Sequence, residues 1–113
     1  MAKFMILYNA PDRASDVMAQ STPEEMKASM AEWIAWKERV EAKVKFDFGM
    51  PLQAVSRLTS GDVTESDSQV SGYSTMEGEK ETVVELLKSH PQLKRPGASI
   101  DILEVLSMPG MEG

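Results

Sequence analysis

The positions of apolar residues along the chain predict a sequence of strands and helices. The first such segment, residues 3–9, contains five successive apolar side chains from Phe4 to Tyr8, and the following residues Asn9, Pro11 and Asp12 are typical of turns. A strand with one face in water would alternate apolar and polar residues, so this run predicts a strand that is covered on both faces.

A helical period of 3.6 residues follows a predicted polar loop at residues 10–21, in which residues 14–19 suggest a short helical turn. Thr22 is expected to cap the longer helix, because Pro23 suits its first position and Glu25 completes a capping box. The apolar stripe of this helix is predicted to face the core and consists of Met26, Met30, Trp33, Ile34, Val40 and Val44.

From Lys45 the period changes to two, which predicts a strand. We predict one long strand over residues 45–59, bent at Gly49–Pro51, because proline cannot donate to a sheet ladder and glycine permits a sharp bend. Residues 60–68 are predicted to be a polar loop at a hairpin tip, and residues 69–76 a third strand that returns beside the second.

The last third of the chain predicts a second helix over residues 77–90 and a final strand over residues 99–106. Pro91 cannot continue the helical hydrogen-bond ladder, so it marks the end of the helix. The final strand has apolar residues on both faces, as the first strand does. By their spacing, the residues on the buried face of the second helix are Val83, Leu86, Leu87 and His90.

The predicted element order is β-α-β-β-α-β within a single α+β domain of residues 1–113. Two crossovers of this kind predict the ferredoxin-like arrangement, a four-stranded antiparallel sheet with two helices on one face. Since the first and last strands are apolar on both faces, the other sheet face would expose a large apolar patch. We therefore expect a homodimer through the sheet face, closed into a dimeric α+β barrel.

Composition excludes several classes of function. The net charge of −6 and the lack of a Lys/Arg cluster argue against nucleic-acid binding, and with no cysteine there is neither thiol chemistry nor a disulfide. A single histidine leaves a zinc site short of ligands, and no carboxylate spacing predicts another metal or cofactor. The longest N-terminal apolar run is too short to cross a membrane, so a cytoplasmic location is expected.

Five segments in order along the chain resemble the YCII-related family, whose members with an Asp-Gly-Pro-Phe motif are called DGPF-domain proteins. The segments are KFMILYN, AEWIAWKERV, DFGMPL, SGYSTMEG and SHPQLKRPGASIDILEVLSMPG. The resemblance implies a small bacterial protein with a dimeric α+β barrel, and most members have no assigned activity.

The chain departs from the family pattern in two places. The Asp-Gly-Pro-Phe tetrapeptide is absent, and the corresponding region reads TESDSQVSGY. Family members are thought to use a His–Asp pair with an early histidine, whereas here His90 is the only histidine and Gln92 stands where close relatives favour a second one.

His90 is the first candidate for chemistry, because histidine alone has an ordinary pKa near neutral pH. A general base needs a partner that fixes its tautomer, and the acids that could reach it are Asp47 on the second strand and Asp101 or Glu104 on the last. The alternative is a structural histidine that caps the helix or is satisfied in the core.

A ligand site is the second candidate. Trp33 and Tyr73 are expected to line a cleft between the first helix and the sheet near His90, with Trp36 toward the edge of the apolar stripe. Lys37 falls within the stripe, either as a cation lining the cavity or as a long stem whose amine reaches water. Core or interface packing is the alternative for the three aromatic residues.

Three functions remain open from the sequence. The first is a small-molecule-binding or regulatory homodimer with its site at Trp33, Lys37, Tyr73 and His90. The second is an enzyme in which His90, oriented by Asp47 or another acid, acts on a small carbonyl or enol substrate. The third is a structural or protein-interaction module.

Overall fold

The central sheet is organised around strand β1 (Ala2–Asn9) in a computed structural model that describes residues 2–110. β1 pairs antiparallel with β5 (Val70–Gly78) on one side and with β6 (Ser99–Glu104) on the other. The short strand β2 (Lys45–Asp47) pairs antiparallel with the outer side of β5, which gives the order β2-β5-β1-β6. The predicted class, α+β with a four-stranded antiparallel sheet, is confirmed.

Three α-helices and a 3₁₀ helix connect the strands. α1 (Ala14–Gln20) and α2 (Pro23–Glu41) lie between β1 and β2, and α3 (Lys80–Leu87) follows β5. The 3₁₀ helix Pro91–Lys94 leads into β6. Strands β3 (Ser56–Thr59) and β4 (Asp62–Glu65) form a separate two-stranded sheet. Among the described residues no helix combines the length and apolar character that a membrane span requires.

The hydrophobic core lies between α2, α3 and one face of the sheet. Alternate residues of β1 point to this face, and across the strand pair β5 contributes Met76 opposite Phe4. The helices contribute pairs spaced by four residues, as expected for a buried helical face. The buried side chains of this core are Phe4, Ile6, Tyr8, Met76, Trp36, Val40, Val83 and Leu87.

The opposite face of the sheet carries the intervening residues, and we call it the open sheet face. On β1 it presents Met5 and Leu7, both half-buried, and the register places Leu103 of β6 beside Met5 and Tyr73 of β5 beside Leu7. Leu103 is 46% exposed. The apolar character that the sequence indicates for both faces of β1 is therefore present.

The start of α2 matches the prediction, but its buried face does so only in part: Val40 is buried and Trp33 packs against the core. The Thr22 hydroxyl oxygen accepts a hydrogen bond from the Glu25 N–H (3.1 Å), and the Glu25 carboxylate accepts one from the Thr22 N–H (2.9 Å). Of the predicted stripe, however, Met26, Met30 and Ile34 are 45%, 52% and 43% exposed, whereas Trp36 is only 1% exposed. The C-terminal half of α2 packs on the sheet, and a helical period cannot indicate where along the helix that contact stops.

The predicted long strand over residues 45–59 is wrong. β2 ends at Asp47, whose carboxylate accepts a hydrogen bond from the Gly49 N–H (3.0 Å), and only Pro51 makes a further bridge, to Gly72 of β5. The chain then leaves the sheet and forms the β3–β4 hairpin, so residues 62–65 of the predicted polar loop are a strand. All residues of this hairpin are exposed, which explains why it has no buried apolar face to predict it.

The predicted second helix is too long at both ends. Residues 77 and 78 belong to β5, α3 starts at Lys80, and it ends three residues before His90. Pro91 starts the 3₁₀ helix, which His90 caps. The final strand likewise ends at Glu104, two residues earlier than predicted. Burial of Val83 and Leu87 is confirmed, and His90 is 1% exposed.

Candidate functional site

A cavity of about 320 Å³ lies beside the core, between α1, the N-terminal half of α2 and the turn after β2. Its volume falls near the lower end of the range for small-molecule sites, about 300–1,000 Å³. The apolar part of its wall comes mainly from these three segments and includes Met18, Met26, Met30, Trp33, Phe48 and Met50.

Four methionines of this wall are exposed. Met18, Met26, Met30 and Met50 are each 45% to 63% exposed, although the helical period predicts that Met26 and Met30 face the core. An unbranched thioether side chain adapts to ligands of different shape, and methionines recur on surfaces that bind varied partners. Met26 and Met30 lie four residues apart in α2, on the N-terminal side of its buried residues. This pair of methionines is the sequence signal that could have indicated a cavity wall.

The loop after β1 and the segment of the 3₁₀ helix contribute polar residues to the cavity wall. Gln92 is 3% exposed, and its amide nitrogen donates to the Asn9 carbonyl oxygen (3.0 Å). Arg95 and Asp12 line the same cavity, yet within residues 2–110 neither side chain has a hydrogen bond or an ion pair. The lining therefore includes a basic and an acidic residue that do not neutralise each other by direct contact.

The loops that carry Asp12 and Arg95 touch each other. A Cβ atom placed on Gly97 would lie 3.3 Å from the ring of Pro11, so the two loops are in close contact one or two residues from the charged side chains. Gly97 has φ +76°, a conformation that suits glycine. Neither Gln92 nor Arg95 is among the site residues expected from the sequence, since their proximity to the cavity depends on the 3₁₀ helix.

His90 lies next to the cavity wall, within a box of aromatic rings. Its ring centroid is 4.7 Å from that of Tyr8, 4.3 Å from Trp33 and 4.2 Å from Trp36. Tyr8 and Trp33 also line the cavity, whereas His90 itself does not. Trp36 is fixed by a hydrogen bond from its indole N–H to the Leu86 carbonyl oxygen (3.0 Å).

The contacts of His90 identify its tautomer. Nδ1 accepts a hydrogen bond from the Gln92 N–H (2.9 Å), so in the neutral ring the proton is on Nε2. Nε2 is buried and has no hydrogen-bond partner among the described residues. The two indole rings lie edge-to-face against the imidazole ring, and an aromatic face accepts an N–H only weakly. Burial lowers the pKa of His90 to about 4.

The acids considered as partners of His90 lie elsewhere. Asp47 pairs with Thr75, so its side chain is on the open sheet face, opposite to the helices that surround His90. Asp101 is also on that face and accepts a hydrogen bond from Asn9 Nδ2 (2.9 Å). Glu104 is exposed at the end of β6. In the described part of the chain no contact joins His90 to a carboxylate.

The residues predicted to bind a ligand are only partly together. Trp33 lines the cavity, with His90 behind it. Tyr73 borders the cavity where its N–H donates to the Met50 carbonyl oxygen (3.2 Å), but strand alternation directs its side chain to the open sheet face. Lys37 is outside the cavity wall and pairs with Glu41 (3.0 Å), one turn along α2.

A buried hydrogen-bond chain supports the wall behind the cavity. The Tyr8 hydroxyl donates to Ser74 Oγ (2.8 Å), and the Ser74 hydroxyl donates to the Phe48 carbonyl oxygen (2.8 Å). Burial raises the pKa of Tyr8 to about 12, so its hydroxyl stays protonated and continues to donate. This chain connects β1, β5 and the turn after β2, and therefore fixes the position of Phe48 in the wall.

No protein-family model matches this sequence, and no curated protein matches it. Within residues 2–110 there is no group of three or more His, Asp or Glu side chains that could hold a metal ion.

Proposed function

We propose that this protein is a homodimer that binds a small molecule in the cavity between α1, α2 and the turn after β2. The observation that carries the proposal is the composition of the cavity wall, in which exposed methionines and Trp33 adjoin an unpaired arginine, an unpaired carboxylate and a buried amide. Small-molecule sites typically combine a mainly apolar wall with a few convergent polar groups.

The exposure of the methionines supports this function over a purely structural role for the region. A side chain such as Met30 would gain about 1.5–3 kcal/mol from full burial, yet it remains 52% exposed. A bound apolar molecule would cover this surface. A regulatory role in which ligand binding changes the surface around α1 is compatible with the same site, because α1 contains no buried residue.

A second copy of the chain is the occupant that we propose for the open sheet face. Met5, Leu7 and Leu103 form an apolar centre on this face. Toward one end, Lys3 and Lys45 flank Glu77, which pairs with Lys45 (3.3 Å), and toward the other end lies Asp101. Two copies related by a two-fold axis would bring the basic end of each face toward the acidic end of the other.

We further propose that the unit is ferredoxin-like and that the pair of sheets forms the dimeric α+β barrel of the YCII-related family. The order β2-β5-β1-β6, with α2 and α3 packed against the same sheet face, supports the ferredoxin-like interpretation. The hairpin of β3 and β4 is an insertion in that plan. Membership of the family rests on the five sequence segments that resemble it.

The contacts of His90 do not favour the enzyme alternative. A general base needs access to a substrate and a partner for its charged form. His90 is behind the cavity wall, touches aromatic rings and has a pKa lowered to about 4 by burial, so at neutral pH it is an uncharged core residue.

Ligand binding can be tested with the uncharged fluorescent dye Nile red. We expect the wild-type protein to bind it with an increase in fluorescence, and Ser29→Trp, which fills the cavity from an exposed position on α2, to weaken binding at least about tenfold. The matched control is Ala28→Trp, at the neighbouring exposed position outside the cavity wall, which should bind as the wild type does.

Two results would contradict the proposal. One is wild-type protein that does not bind the dye at all. The other is dye binding that is equally strong in both tryptophan variants, because the dye would then occupy another surface, such as the open sheet face.

A further inference from the structure

We propose that the natural ligand of this cavity is an amphipathic monoanion, with one carboxylate held by Arg95 and an apolar body held by the methionines. This inference rests on the proposed small-molecule function and specifies the chemical class of the ligand. Arg95 follows the 3₁₀ helix, whereas the methionines belong to α1, α2 and the turn after β2, so the ligand should have its charge at one end.

Arg95 is the group available to bind an anion. It is half-buried, it lines the cavity, and no ion pair or side-chain hydrogen bond engages its guanidinium within residues 2–110. A guanidinium that is partly shielded from water and lacks a protein partner binds a carboxylate through two charge-assisted hydrogen bonds. The lining also includes Gln92, whose Oε1 accepts no hydrogen bond from the described residues.

The number of charges in the wall limits the ligand to a single negative charge. Three residues of charged type line the cavity, and two of them, Asp12 and Glu25, are acidic. Glu25 is occupied in the capping box with Thr22, whereas Asp12 has no partner among the described residues and is on the loop that touches the loop of Arg95. A carboxylate can pair with Arg95, but a second negative charge would be repelled by these acids.

The rest of the wall selects a flexible apolar body. Met18 of α1, Met26 and Met30 of α2, and Met50 of the turn come from three separate segments. Four adaptable side chains around Trp33 and Phe48 favour an alkyl or arylalkyl group over a polyhydroxylated one, because the lining surface is mainly apolar.

Competition with Nile red tests the assignment with eight-carbon compounds that differ in the number and sign of their charges. Octanoate should displace the dye at least about tenfold better than octanol, and the dicarboxylate suberate should not exceed octanoate. The α-amino analogue of octanoate, a zwitterion, should bind no better than octanoate. Arg95→Gln should remove the preference for octanoate over octanol, whereas Arg39→Gln, an equal change of charge at an exposed site on α2, should retain it.

A second variant tests the role assigned to Asp12. Asp12→Asn removes a repulsive charge, so octanoate should bind severalfold more tightly while octanol binds as before. The inference is overturned if octanol competes as well as octanoate, or if Arg95→Gln still prefers octanoate to octanol. It is also overturned if the zwitterion binds more tightly than octanoate to the wild type but not to Asp12→Asn. In each of these cases dye binding that Ser29→Trp blocks would leave the proposed function intact. Failure of the wild-type protein to bind either dye or octanoate would overturn both.

Discussion

At the scale of single residues, His90 shows how burial converts an ionisable side chain into a structural one. Its Nδ1 caps the 3₁₀ helix by accepting the Gln92 N–H, and its ring packs against Tyr8, Trp33 and Trp36. Protonation would remove the acceptor that this cap requires and would place a charge among apolar rings. The cost of that charge is the reason that the pKa is lowered from 6.5 to about 4.

The lowered pKa predicts a loss of stability in mild acid. Above pH 6.5 His90 is neutral in both the folded and the unfolded chain, so it contributes no pH dependence to the free energy of unfolding. Below pH 6.5 the unfolded chain binds a proton that the folded chain does not bind until about pH 4, so the free energy of unfolding falls over this window. The difference between the pKa values of His90 in the unfolded and folded chain corresponds to roughly 3 kcal/mol of stability. About 1–2 kcal/mol of this should be lost between pH 6.5 and 5.

Urea unfolding at a series of pH values measures this effect. His90→Asn is the matched variant, because an asparagine oxygen can still accept the Gln92 N–H while nothing at this position titrates. Its free energy of unfolding should be lower at pH 7 but nearly constant from pH 7 to 5. Since His90 is the only histidine, an equal decline in the variant would show that other groups cause it.

The sequence predicted the burial of His90 and its proximity to Trp33, but not the rest of its environment. The spacing from Val83 and Leu87 was enough to place it on the buried side, although α3 ends before it. Its neighbours come from β1 and α2, more than fifty positions away in the chain, so no local pattern contains them. The same is true of Asp47, whose side of the sheet depends on a register with β5 that the sequence does not specify.

At the scale of secondary-structure elements, the sequence predicts features that depend on neighbouring residues, but not features that depend on contacts between distant segments. The capping box of α2 involves residues three positions apart, and the structure reproduces it. The end of β2, in contrast, depends on where the following turn meets β5. The sequence correctly predicts a bend at Gly49–Pro51, but after the bend the chain does not return to the strand that it left.

Gly49 makes that turn possible, and its substitution is expected to destabilise the protein. Gly49 has φ +72°, and a Cβ atom at this position would lie 1.9 Å from the Tyr73 carbonyl oxygen, which belongs to the backbone of β5. The control is Gly61, at the turn between β3 and β4, which also has a positive φ (+110°) but no atom within 4 Å of the added carbon.

Gly61→Ala should therefore incur only the cost of backbone strain, about 1–3 kcal/mol. Gly49→Ala should lose at least about 2 kcal/mol more, because β2 must move away from β5 or the turn must open. Chemical denaturation of both variants under identical conditions gives the comparison. Equal losses would show that the turn after β2 can relax without disturbing the central sheet.

At the scale of the whole molecule, the open sheet face determines what the protein should look like in solution. The helices bury one side of the sheet, and Met5, Leu7 and Leu103 remain on the other. A homodimer through this face should have twice the chain mass of 12.5 kDa. Light scattering coupled to size-exclusion chromatography measures this mass directly, over a range of concentrations.

Leu103→Glu tests whether this face is the contact. In a dimer the new carboxylate would be buried without a partner, which typically costs several kcal/mol, and each 1.4 kcal/mol raises the dissociation constant tenfold. We therefore expect the dissociation constant to rise at least about 100-fold, so that the variant elutes as a monomer at concentrations where the wild type is dimeric.

Leu93→Glu is the matched control for that variant. Leu93 lies on the 3₁₀ helix and is 43% exposed, close to the 46% of Leu103, but it is not on the sheet. This change introduces the same charge on another surface, so the dimer should persist. A wild-type protein that is monomeric at every concentration would remove the dimer from the proposed function, and dissociation of both variants to the same extent would place the contact elsewhere. Neither result would affect the cavity, because its wall lies on the helical side of the sheet and at the turn after β2. Nile red binding measured on the same samples therefore tests the small-molecule site separately from the homodimer.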